Sequence, residues 1–481
     1  MEVSVKTDTI AAIATAMSDS GIGIIRISGD EAIQIVDKIY RTKSGKKIFS
    51  YFSSHTIHYG YIVDKKEDHN SDDHEIIDEV MVSVMKAPNS YTTEDTVEIN
   101  CHGGVLMMNR ILETVIKNGA RLAQPGEFTK RAFLNGRIDL SKAEAVMDII
   151  HSKNQFALES SVNQLRGSIS DMIKKLRDEL IFEIAFIESA LDDPEHISLD
   201  GYHERLSEKT ENIIDRLKKL LDSADNGKML KEGINTVIVG KPNAGKSSLL
   251  NLMVGEEKAI VTDIAGTTRD VLEENIKLHG ISLNIIDTAG IRSTEDVVEK
   301  IGVEKAKKYA LDADLIIYVV DASVPLNESD HDIINMIVGK KSIILLNKTD
   351  LDTVVSEDIL MDEIYKVNEK KNLSGNTHII KTSTKENTGI DLFEETIKNM
   401  FFNGEIYFND EVIITNMRHK EAIMDAYNSM LQVNISLEND MPEDFYSIDL
   451  MSAYASLGTI IGEEVGEDLV NEIFSKFCMG K

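Results

Sequence analysis

The sequence has no tryptophan, few prolines and only two cysteines, Cys101 and Cys478. Two cysteines cannot build a disulfide framework, and neither stands in a zinc-like cluster, which fits a reducing cytosol. No stretch reaches the run of about 18 uncharged apolar residues that a membrane helix needs. The apolar run at residues 10–16 also lacks the basic start of a signal peptide. The sequence therefore predicts a cytoplasmic protein without a membrane span.

Basic residues are scarce relative to acidic ones, and the formal net charge is −30. Phosphate contacts need lysine and arginine, so this charge argues against broad, nonspecific binding of nucleic acid. Any RNA contact must be local, and we expect a partner to supply most of the positive surface. The length of 481 residues allows about three domains, each with its own core.

The apolar pattern changes three times along the chain and predicts four segments. Residues 1–122 mix short strand-like runs with turns, which indicates a small α+β domain with a polar hairpin loop at residues 64–78. Residues 123–232 have helical spacing, and the first long helix should end at Asp192 before a proline. Residues 233–402 repeat strand, loop and helix. Residues 403–481 are helical again.

The strands predicted within residues 233–402 are continuous apolar runs, as in buried parallel sheets. Polar motifs follow several of them, at the sheet edge where an open α/β fold binds its ligand. We therefore predict a multidomain α+β, α and α/β architecture. In it, a Ras-like, doubly wound P-loop domain is inserted into a helical bundle domain.

Two motifs in the third segment indicate a guanine nucleotide. Residues 240–247 read Gly-x-x-x-x-Gly-Lys-Ser, a loop whose N–H groups surround phosphates while its lysine and serine serve the terminal phosphates and Mg²⁺. Downstream, Asn347, Lys348 and Asp350 form Asn-Lys-x-Asp. The carboxylate of Asp350 can accept from both guanine N1–H and N2–H₂, a donor pair that adenine lacks. The expected ligand is therefore GTP.

Further elements follow in the order that a GTPase requires. Thr268 is a candidate for Mg²⁺ and the γ-phosphate, Asp287 for the Mg²⁺ water shell, and the N–H of Gly290 for the γ-phosphate. Residues 382–385 can close over the guanine. The full predicted GTP set is Asn243, Ala244, Gly245, Lys246, Ser247, Ser248, Thr262, Asp263, Ile264, Ala265, Gly266, Thr267, Thr268, Asp287, Thr288, Ala289, Gly290, Asn347, Lys348, Thr349, Asp350, Ser383, Thr384 and Lys385.

The residue after Gly290 is Ile291, where Ras-type GTPases have a glutamine that orients the attacking water. An isoleucine can neither donate nor accept, so another group must position the water. The nearby acids Glu295, Asp296 and Glu299 are the candidates, acting directly or through a second water. From the residues alone the choice among them stays open.

The transition state also needs a cation where other GTPases use an arginine finger. The amide oxygen of Asn243, inside the phosphate loop, is suited to ligate a monovalent ion beside the phosphates. Arg269 and Arg292 are the side-chain alternatives. The sequence therefore leaves two kinds of cation open at this site, a bound ion or an arginine.

These motifs and their flanking residues resemble the MnmE (TrmE) family of tRNA modification GTPases, among the TrmE-Era-EngA-YihA-Septin-like GTPases. The likeness covers essentially the whole chain. It rests on Asp-Thr-Ile-Ala-Ala at residues 8–12, Gly-Thr-Thr-Arg-Asp at 266–270 and Phe-Cys-Met-Gly-Lys at 477–481. The most specific part is the thirteen-residue block Pro-Gly-Glu-Phe-Thr-Lys-Arg-Ala-Phe-Leu-Asn-Gly-Arg at 125–137.

The resemblance implies a homodimer that works with an FAD-containing partner, MnmG (GidA), in a heterotetramer. Together they would add an aminomethyl or carboxymethylaminomethyl group to C5 of the wobble uridine, position 34, of certain tRNAs. The one-carbon donor would be 5,10-methylene- or formyl-tetrahydrofolate. The N-terminal domain would hold the folate and form the dimer. The GTPase domains would associate when GTP and K⁺ are bound, Mg²⁺ would also be a cofactor, and hydrolysis would drive the cycle.

The resemblance also assigns roles to single residues. It implies K⁺ ligands at Asn243, Thr262, Ile264 and Thr267, Mg²⁺ ligands at Ser247 and Thr268, and Glu299 as the acid that orients the water. It implies folate contacts at Arg26, Glu98, Arg137 and Lys481. The family also has lysine at the position of Arg137, a charge-preserving difference. Where the family usually has Pro-Pro-Gly, residues 16–21 read Ala-Met-Ser-Asp-Ser-Gly, which predicts a less rigid loop.

Cys478 has three interpretations. Lipidation is disfavoured because Gly480 is not aliphatic and Lys481 is atypical for a prenylation box. The residue is then either a structural thiol or, near the folate and tRNA site, a nucleophile toward a carbon electrophile or uracil C6. The segment from Cys101 to Gly104 is better explained as a structural turn than as a metal site.

The GTPase motifs alone do not separate two functions. One is an enzyme component whose GTP cycle gates wobble-uridine modification. The other is a regulatory GTPase switch, for example in ribosome assembly, that carries no chemistry of its own. A ribosomal GTPase should carry a basic RNA-binding module after its GTPase domain. Residues 403–481 are instead acidic, with Glu443 and Asp444 among several acids, which favours the first function.

Overall fold

The computed structural model describes residues 8–46, 49–65, 74–152, 154–193, 195–198, 200–256, 274–278, 281–286, 313–371, 377–402, 412–463, 465–477 and 480. The chain divides into two compact units. The first comprises Met1–Met147, Gln164–Ser189 and Met451–Lys481, and the second comprises Asp148–Asn163 and Ala190–Leu450. The domain boundaries that we expect near residues 122, 232 and 402 stay predictions.

The first unit contains a seven-stranded sheet of order β3-β4-β5-β6-β2-β1-β7. Its strands are β1 Ile10–Ile13, β2 Ser20–Ser28, β3 Tyr40–Thr42, β4 Thr56–Lys65, β5 His74–Met85, β6 Thr96–Gly103 and β7 Arg121–Leu122. All pairs are antiparallel except β1 with β7. Residues alternate along β6, with Val97, Ile99 and Cys101 buried in the core. This alternation is the period of two that predicted the strands.

Two helices, α1 Ala32–Ile39 and α2 Val105–Lys117, pack on this sheet, and a short 3₁₀ helix covers Phe49–Tyr51. Their apolar residues join one core with the inward residues of the strands, including Ile35, Val36, Met108 and Ile111. The N-terminal part of the chain is therefore the α+β domain that the sequence predicts.

One detail of that prediction is wrong. The polar segment 64–78 is not all loop, because β4 continues to Lys65 and β5 begins at His74, with residues 66–73 outside the described ranges. Asp78 is buried, and its carboxylate accepts from the backbone N–H of His102 at 2.9 Å and contacts that residue's Nδ1 at 2.7 Å. A buried carboxylate with such partners is stable inside a sheet, and polarity alone did not reveal it.

The remaining helices are α3 Glu127–Leu134, α4 Leu140–His151, α5 Gln155–Arg166, α6 Ser168–Asp192, α7 Tyr202–Glu232, α8 Lys246–Glu256, α9 Glu328–Ile337, α10 Glu357–Lys371, α11 Ile390–Phe402, α12 Met417–Glu438, α13 Glu443–Ile461 and α14 Glu467–Ser475. As predicted, α6 ends at Asp192 before the proline. Its buried face includes Ile169, Ile173 and Leu180, at helical spacing.

Within the first unit, α4 and α14 share a small core of Leu140, Ala143, Val470 and Phe474, and Phe133 of α3 packs against it. Gly126 precedes α3 with φ +69°, and a Cβ there would lie 2.5 Å from the carbonyl oxygen of Phe474. Only glycine fits that close approach. The thirteen-residue block therefore packs directly on the C-terminal helix.

The second unit contains a six-stranded sheet of order β13-β12-β11-β8-β10-β9. Its strands are β8 Ile234–Val239, β9 Glu274–Leu278, β10 Ile281–Ile285, β11 Leu315–Asp321, β12 Ser342–Asn347 and β13 Thr377–Lys381. Only the β9 and β10 pair is antiparallel. β11 and β12 are buried along their whole length, as continuous apolar runs predict.

Helices cover both faces of this sheet. Leu249 of α8 and Phe393 of α11 belong to one apolar core, and Ile334 of α9 and Leu360 of α10 belong to the other. The strand order reverses beside β8, since the chain passes to β10 on one side and later to β11 on the other. Such a reversal opens a crevice at the carboxyl ends of the strands. The predicted doubly wound P-loop fold is confirmed.

Helical elements also surround this sheet in sequence, since α7 comes before β8 and α12 follows α11. Gly227 of α7 approaches so closely that a Cβ there would lie 2.3 Å from the carbonyl oxygen of Ile414, just before α12. The predicted insertion of the P-loop domain into a helical region is therefore also confirmed. Across the described ranges, no helix has both the length and the apolarity to cross a membrane.

Candidate functional site

The phosphate loop lies where β8 ends and α8 begins, beside the reversal in strand order. Gly240 has φ +150°, and a Cβ there would lie 2.4 Å from the carbonyl oxygen of Val319 in β11. Gly245 has φ +105°, and a Cβ there would lie 2.1 Å from Nδ2 of Asn347. Both motif glycines are therefore required by close contacts on neighbouring strands. Asn243 stands between them with φ +61° and an exposed side chain.

Lys246, the first residue of α8, folds back over this loop. Its Nζ donates to the carbonyl oxygens of Gly240 at 2.6 Å and Lys241 at 2.7 Å. An ammonium has three donors, so a further N–H can go to a phosphate oxygen. Burial lowers the pKa of Lys246 below its ordinary value. A bound phosphate would favour the charged form and offset that effect.

Asn347, at the end of β12, connects the phosphate loop with the loop after β13. Its Nδ2 donates to the carbonyl oxygen of Ala244 at 2.9 Å, and its Oδ1 accepts from the N–H of Thr384 at 3.1 Å. The side chain is buried, so both amide groups find partners away from water. Asn347 therefore fixes the distance between two loops that the sequence assigned to one nucleotide.

Lys348 follows with φ +63°, and its Nζ lies 2.5 Å from Oδ2 of Asp321 at the end of β11. Burial raises the pKa of Asp321, but the hydrogen bonds from Lys348 and Ser323 outweigh it, so the net pKa is lowered. The carboxylate of Asp321 therefore stays charged near neutral pH, and its contact with Lys348 holds the turn that carries the base-recognition motif. This partner of Lys348 was not predicted from the sequence.

Asp350 presents its carboxylate next to the third loop of the site. Ser383 Oγ donates to Oδ1 at 2.8 Å, and Lys385 Nζ lies 3.9 Å from Oδ2. The side chain is 9% exposed. Thr349 supports the arrangement, because its N–H and its hydroxyl both donate to the carbonyl oxygen of Thr382. One carboxylate oxygen is thus oriented by serine while the other is available to an N–H donor.

The structure therefore brings together three predicted groups: the phosphate loop with the start of α8, residues 347–350 and residues 383–385. Ser247 and Ser248 lie exposed in the first turn of α8. The remaining predicted nucleotide and catalytic residues lie outside the described residues, namely Thr262, Asp263, Ile264, Ala265, Gly266, Thr267, Thr268, Asp287, Thr288, Ala289, Gly290 and Glu299.

A second candidate site lies on the N-terminal sheet. Arg26 of β2 and Glu98 of β6 are register partners, and Nε of Arg26 lies 2.8 Å from Oε1 of Glu98. A guanidinium N–H of Arg26 also donates to the carbonyl oxygen of Gly480 at 3.0 Å. The C-terminal segment therefore reaches the predicted folate residues. Cys478 and Lys481 themselves lie outside the described residues.

Tyr91 joins the two predicted folate arginines, and sequence reasoning missed it. Cζ of Arg137 lies 4.8 Å from the centroid of its ring, and Cζ of Arg26 lies 5.6 Å away. Arg137 also donates to the carbonyl oxygen of Tyr91 at 2.9 Å. The hydroxyl of Tyr91 lies 2.9 Å from Oγ1 of Thr129, which is buried. The one sequence signal is an aromatic residue in an otherwise polar loop.

An open cleft of about 720 Å³ borders this region. Its lining includes Tyr91 and Arg137 together with the polar residues His55, Asn89 and Asn135. The cleft thus combines a cation, an aromatic ring and several groups able to donate or accept hydrogen bonds. Such a lining suits an elongated ligand with aromatic and anionic parts.

The thirteen-residue block also supplies the buried cation Arg131. Its guanidinium lies 3.1 Å from Glu94 and 3.0 Å from Glu127, and both Arg131 and Glu94 are 8% exposed. Burial lowers the pKa of Arg131, but the carboxylates of Glu94 and Glu127 together outweigh that effect and raise the net pKa. Glu94 further accepts from Ser28 Oγ at 2.7 Å. This network fixes α3 to the sheet beside Tyr91.

Cys101 is buried in the N-terminal core, where its Sγ contacts the carbonyl oxygen of Gly23 at 3.4 Å. Burial raises the pKa of its thiol to about 11, so it is protonated at neutral pH. In the part of the chain that the structure describes, no group of three or more His, Cys, Asp and Glu side chains is arranged to hold a metal ion.

The fold and the three loops around Asn347 define a P-loop protein of the GTPase class. Comparison with known families narrows this class. The family described as "GTP-binding protein TrmE N-terminus" matches residues 9–137, and "MnmE helical domain" matches residues 140–478. The chain belongs to the MnmE family, as its sequence motifs indicated.

Full-length relatives agree with this assignment. The chain is 58% identical to "tRNA modification GTPase MnmE" of Lachnoclostridium phytofermentans, over 99% of this chain and 100% of the relative. It is 49% identical to the protein of the same name from Clostridioides difficile, over 98% of this chain and 99% of the relative. It is also 49% identical to that of Acetivibrio thermocellus, over 99% of this chain and 100% of the relative.

Proposed function

We propose that this protein is the GTP-hydrolysing component of a cytoplasmic complex that modifies the wobble uridine of certain tRNAs. The product would carry an aminomethyl or carboxymethylaminomethyl group at C5. The observation that carries the proposal is the end-to-end identity of 58% to a relative named tRNA modification GTPase. The described residues support it with two separate sites, one suited to a guanine nucleotide and one to a folate.

The GTP site is supported by its three loops. The phosphates would lie over the N–H groups of residues 243–248, with the ammonium of Lys246 beside them, and the base would meet the carboxylate of Asp350. Mg²⁺ would be held by Ser247 and Thr268, where it would neutralise phosphate charge. K⁺ would be held by Asn243 together with Thr262, Ile264 and Thr267. Glu299 would orient the water.

The exposed side chain of Asn243 fits the proposed K⁺ site. Asn243 has a positive φ within the phosphate loop, and its amide oxygen is a hard ligand of the kind that alkali cations take. A monovalent ion there would supply the positive charge that an arginine finger supplies elsewhere. GTP and K⁺ would then promote association of two GTPase domains, and hydrolysis would release them.

The N-terminal site has the donor and acceptor set that a tetrahydrofolate needs. A pterin presents an adjacent N–H and NH₂, the same donor pair as guanine, which the carboxylate of Glu98 can accept. Arg26, whose Nε lies 2.8 Å from Glu98, would orient that carboxylate, and the guanidinium of Arg137 suits the anionic glutamyl end. The ring of Tyr91 between them offers an aromatic surface. When bound, the folate would supply the one-carbon unit.

The acidic composition bears on the proposed assembly. With a net charge of −30, the chain alone is poorly suited to hold a polyanion. We propose that the protein is a homodimer, that an FAD-containing partner of the MnmG type joins it in a heterotetramer, and that the partner supplies most of the tRNA-binding surface. Lys481 would complete the folate site, and Cys478 would lie beside it.

The proposal is tested in cells that lack this protein. Total tRNA is digested and its nucleosides are quantified by mass spectrometry, with the wild-type chain restored as the control. We expect the C5-modified wobble uridines to disappear and to return on complementation. Unchanged wobble uridines together with a defect in ribosome assembly would favour the regulatory switch instead.

A further inference from the structure

The phosphate loop is held by three contacts, and one of them is an ion pair whose carboxylate comes from outside the sequence motifs. Gly240 packs against the carbonyl of Val319, and the carbonyl of Ala244 accepts from Asn347 at 2.9 Å. The third contact is an ion pair. Nζ of Lys241, the second residue of the loop, lies 2.6 Å from Oδ2 of Asp330 in α9.

Asp330 is fully buried, and Lys241 is 15% exposed. The other carboxylate oxygen of Asp330 accepts from the hydroxyl of Tyr318, itself buried in β11, at 2.7 Å. Asn327, the N-cap of α9, donates its N–H to Asp330 and accepts from the N–H of Asp330 in a capping box. The carboxylate is therefore fixed by the strand and the helix before Lys241 reaches it.

The backbone of Lys241 in turn shapes the loop. Its carbonyl oxygen accepts from Nζ of Lys246 at 2.7 Å and from the N–H of Ala244 at 3.3 Å. The side chain of Lys241 is thus held by α9, and its carbonyl helps to hold the lysine that meets the phosphates. A shift of Lys241 would move both that ammonium and the turn of the loop.

We propose that Asp330 is a positioning residue of the nucleotide site. Through Lys241 it keeps the phosphate loop in the shape that receives phosphates, and so it slows nucleotide release. Separating a buried carboxylate from its cation is strongly unfavourable in free energy, because the charge is then left uncompensated. The pair therefore resists rearrangement. The inference rests on the proposed GTP site and is independent of tRNA modification.

The test uses the full chain with five substitutions: Lys241→Met, Lys241→Arg, Asp330→Asn, the double variant Lys241→Met with Asp330→Asn, and Asp332→Asn. Asp332 is an exposed carboxylate on the same helix and provides the matched control. The dissociation rate of a fluorescent GDP analogue is measured by stopped flow. The KM for GTP, the turnover at saturating GTP and the melting temperature are measured in parallel.

We expect Lys241→Met and Asp330→Asn each to raise the dissociation rate by about tenfold, which corresponds to about 1.4 kcal/mol and lies within the range of interaction energies between contacting groups. The KM should rise by more than turnover falls. Lys241→Arg, which keeps the ion pair, should stay within about twofold of the wild type. The double variant should be no worse than the worse single variant, because both remove the same contact.

Two results would overturn the inference. One is a Lys241→Met protein that folds well and whose dissociation rate lies within about twofold of the wild-type rate. The other is a double variant whose effect equals the product of the two single effects. If instead the wild type itself bound no guanine nucleotide, the proposed function would fail, and that outcome is visible before any variant is compared.

Discussion

Asp350→Asn is the substitution that most directly probes base recognition. The carboxylate is proposed to accept from N1–H and N2–H₂ of guanine, while Ser383 Oγ donates to its Oδ1 at 2.8 Å. In the variant, the amide oxygen can keep the bond from Ser383. The NH₂ group of the asparagine then faces the N1–H and N2–H₂ donors of guanine and cannot accept from them. Xanthine has a carbonyl in place of the guanine N2–H₂, and this carbonyl can accept from the asparagine. We expect preference to change from guanine to xanthine nucleotides.

The magnitude follows from the two hydrogen bonds that are lost. A hydrogen bond to a charged group contributes about 1.5 to 3 kcal/mol. The side chain is only 9% exposed, so water does little to replace the lost hydrogen bonds. The ammonium of Lys385, 3.9 Å from the carboxylate, partly neutralises its charge and weakens each bond to the base. We therefore take the lower end, about 3 kcal/mol for the pair, which corresponds to about a hundredfold weaker GTP binding.

The assay is equilibrium titration of fluorescent GDP and XDP analogues, with melting curves to verify folding. Asp352→Asn changes an exposed acid two residues away and should leave both affinities at the wild-type level. A folded Asp350→Asn protein that still bound GDP within about threefold of the wild type would refute the assignment of Asp350 to the base.

Three further predictions concern the ion, the folate and the terminal thiol. GTP turnover should require K⁺, because Asn243 is proposed to ligate it, and equal rates in Na⁺ and K⁺ would contradict this. Tyr91→Ala should weaken tetrahydrofolate binding by about three- to tenfold in calorimetry, since the ring contacts both arginines. Tyr51→Ala, at an exposed tyrosine, should not, and equal losses in both variants would rule out the role of Tyr91. Cys478→Ser should reduce wobble-uridine modification measured by mass spectrometry of digested tRNA, whereas full modification would indicate a structural thiol.

The fold was largely readable from the sequence because its signals are local. Buried parallel strands appear as continuous apolar runs, and residues 342–347 are buried throughout as that pattern predicts. The break after Asp192 is likewise a local effect of proline. The segment 64–78 was mispredicted because its charged residues suggested a solvated loop. The buried carboxylate of Asp78 instead finds its hydrogen-bond partner in His102, which is distant in sequence.

The nucleotide motifs were readable because each encodes its own chemistry, as with the carboxylate of Asp350. Their supporting contacts were not, because they join residues far apart in the chain. Lys241 meets Asp330 only because α9 follows a strand beside β8. Tyr91 likewise meets Arg26 only through the fold of the N-terminal sheet. The charge or aromatic character of a residue does not identify its partner, so these contacts could be found only in the structure.

The central claim, that a guanine-nucleotide cycle drives tRNA modification, is tested most directly by changing the nucleotide that the protein accepts. Purified Asp350→Asn protein is combined with its FAD-containing partner, a tetrahydrofolate donor, Mg²⁺, K⁺ and unmodified tRNA. Wobble-uridine products are then quantified with GTP or with XTP. We predict modification with XTP but not GTP, and the reverse for the wild type. Equal modification with either nucleotide, or with none, would contradict the claim.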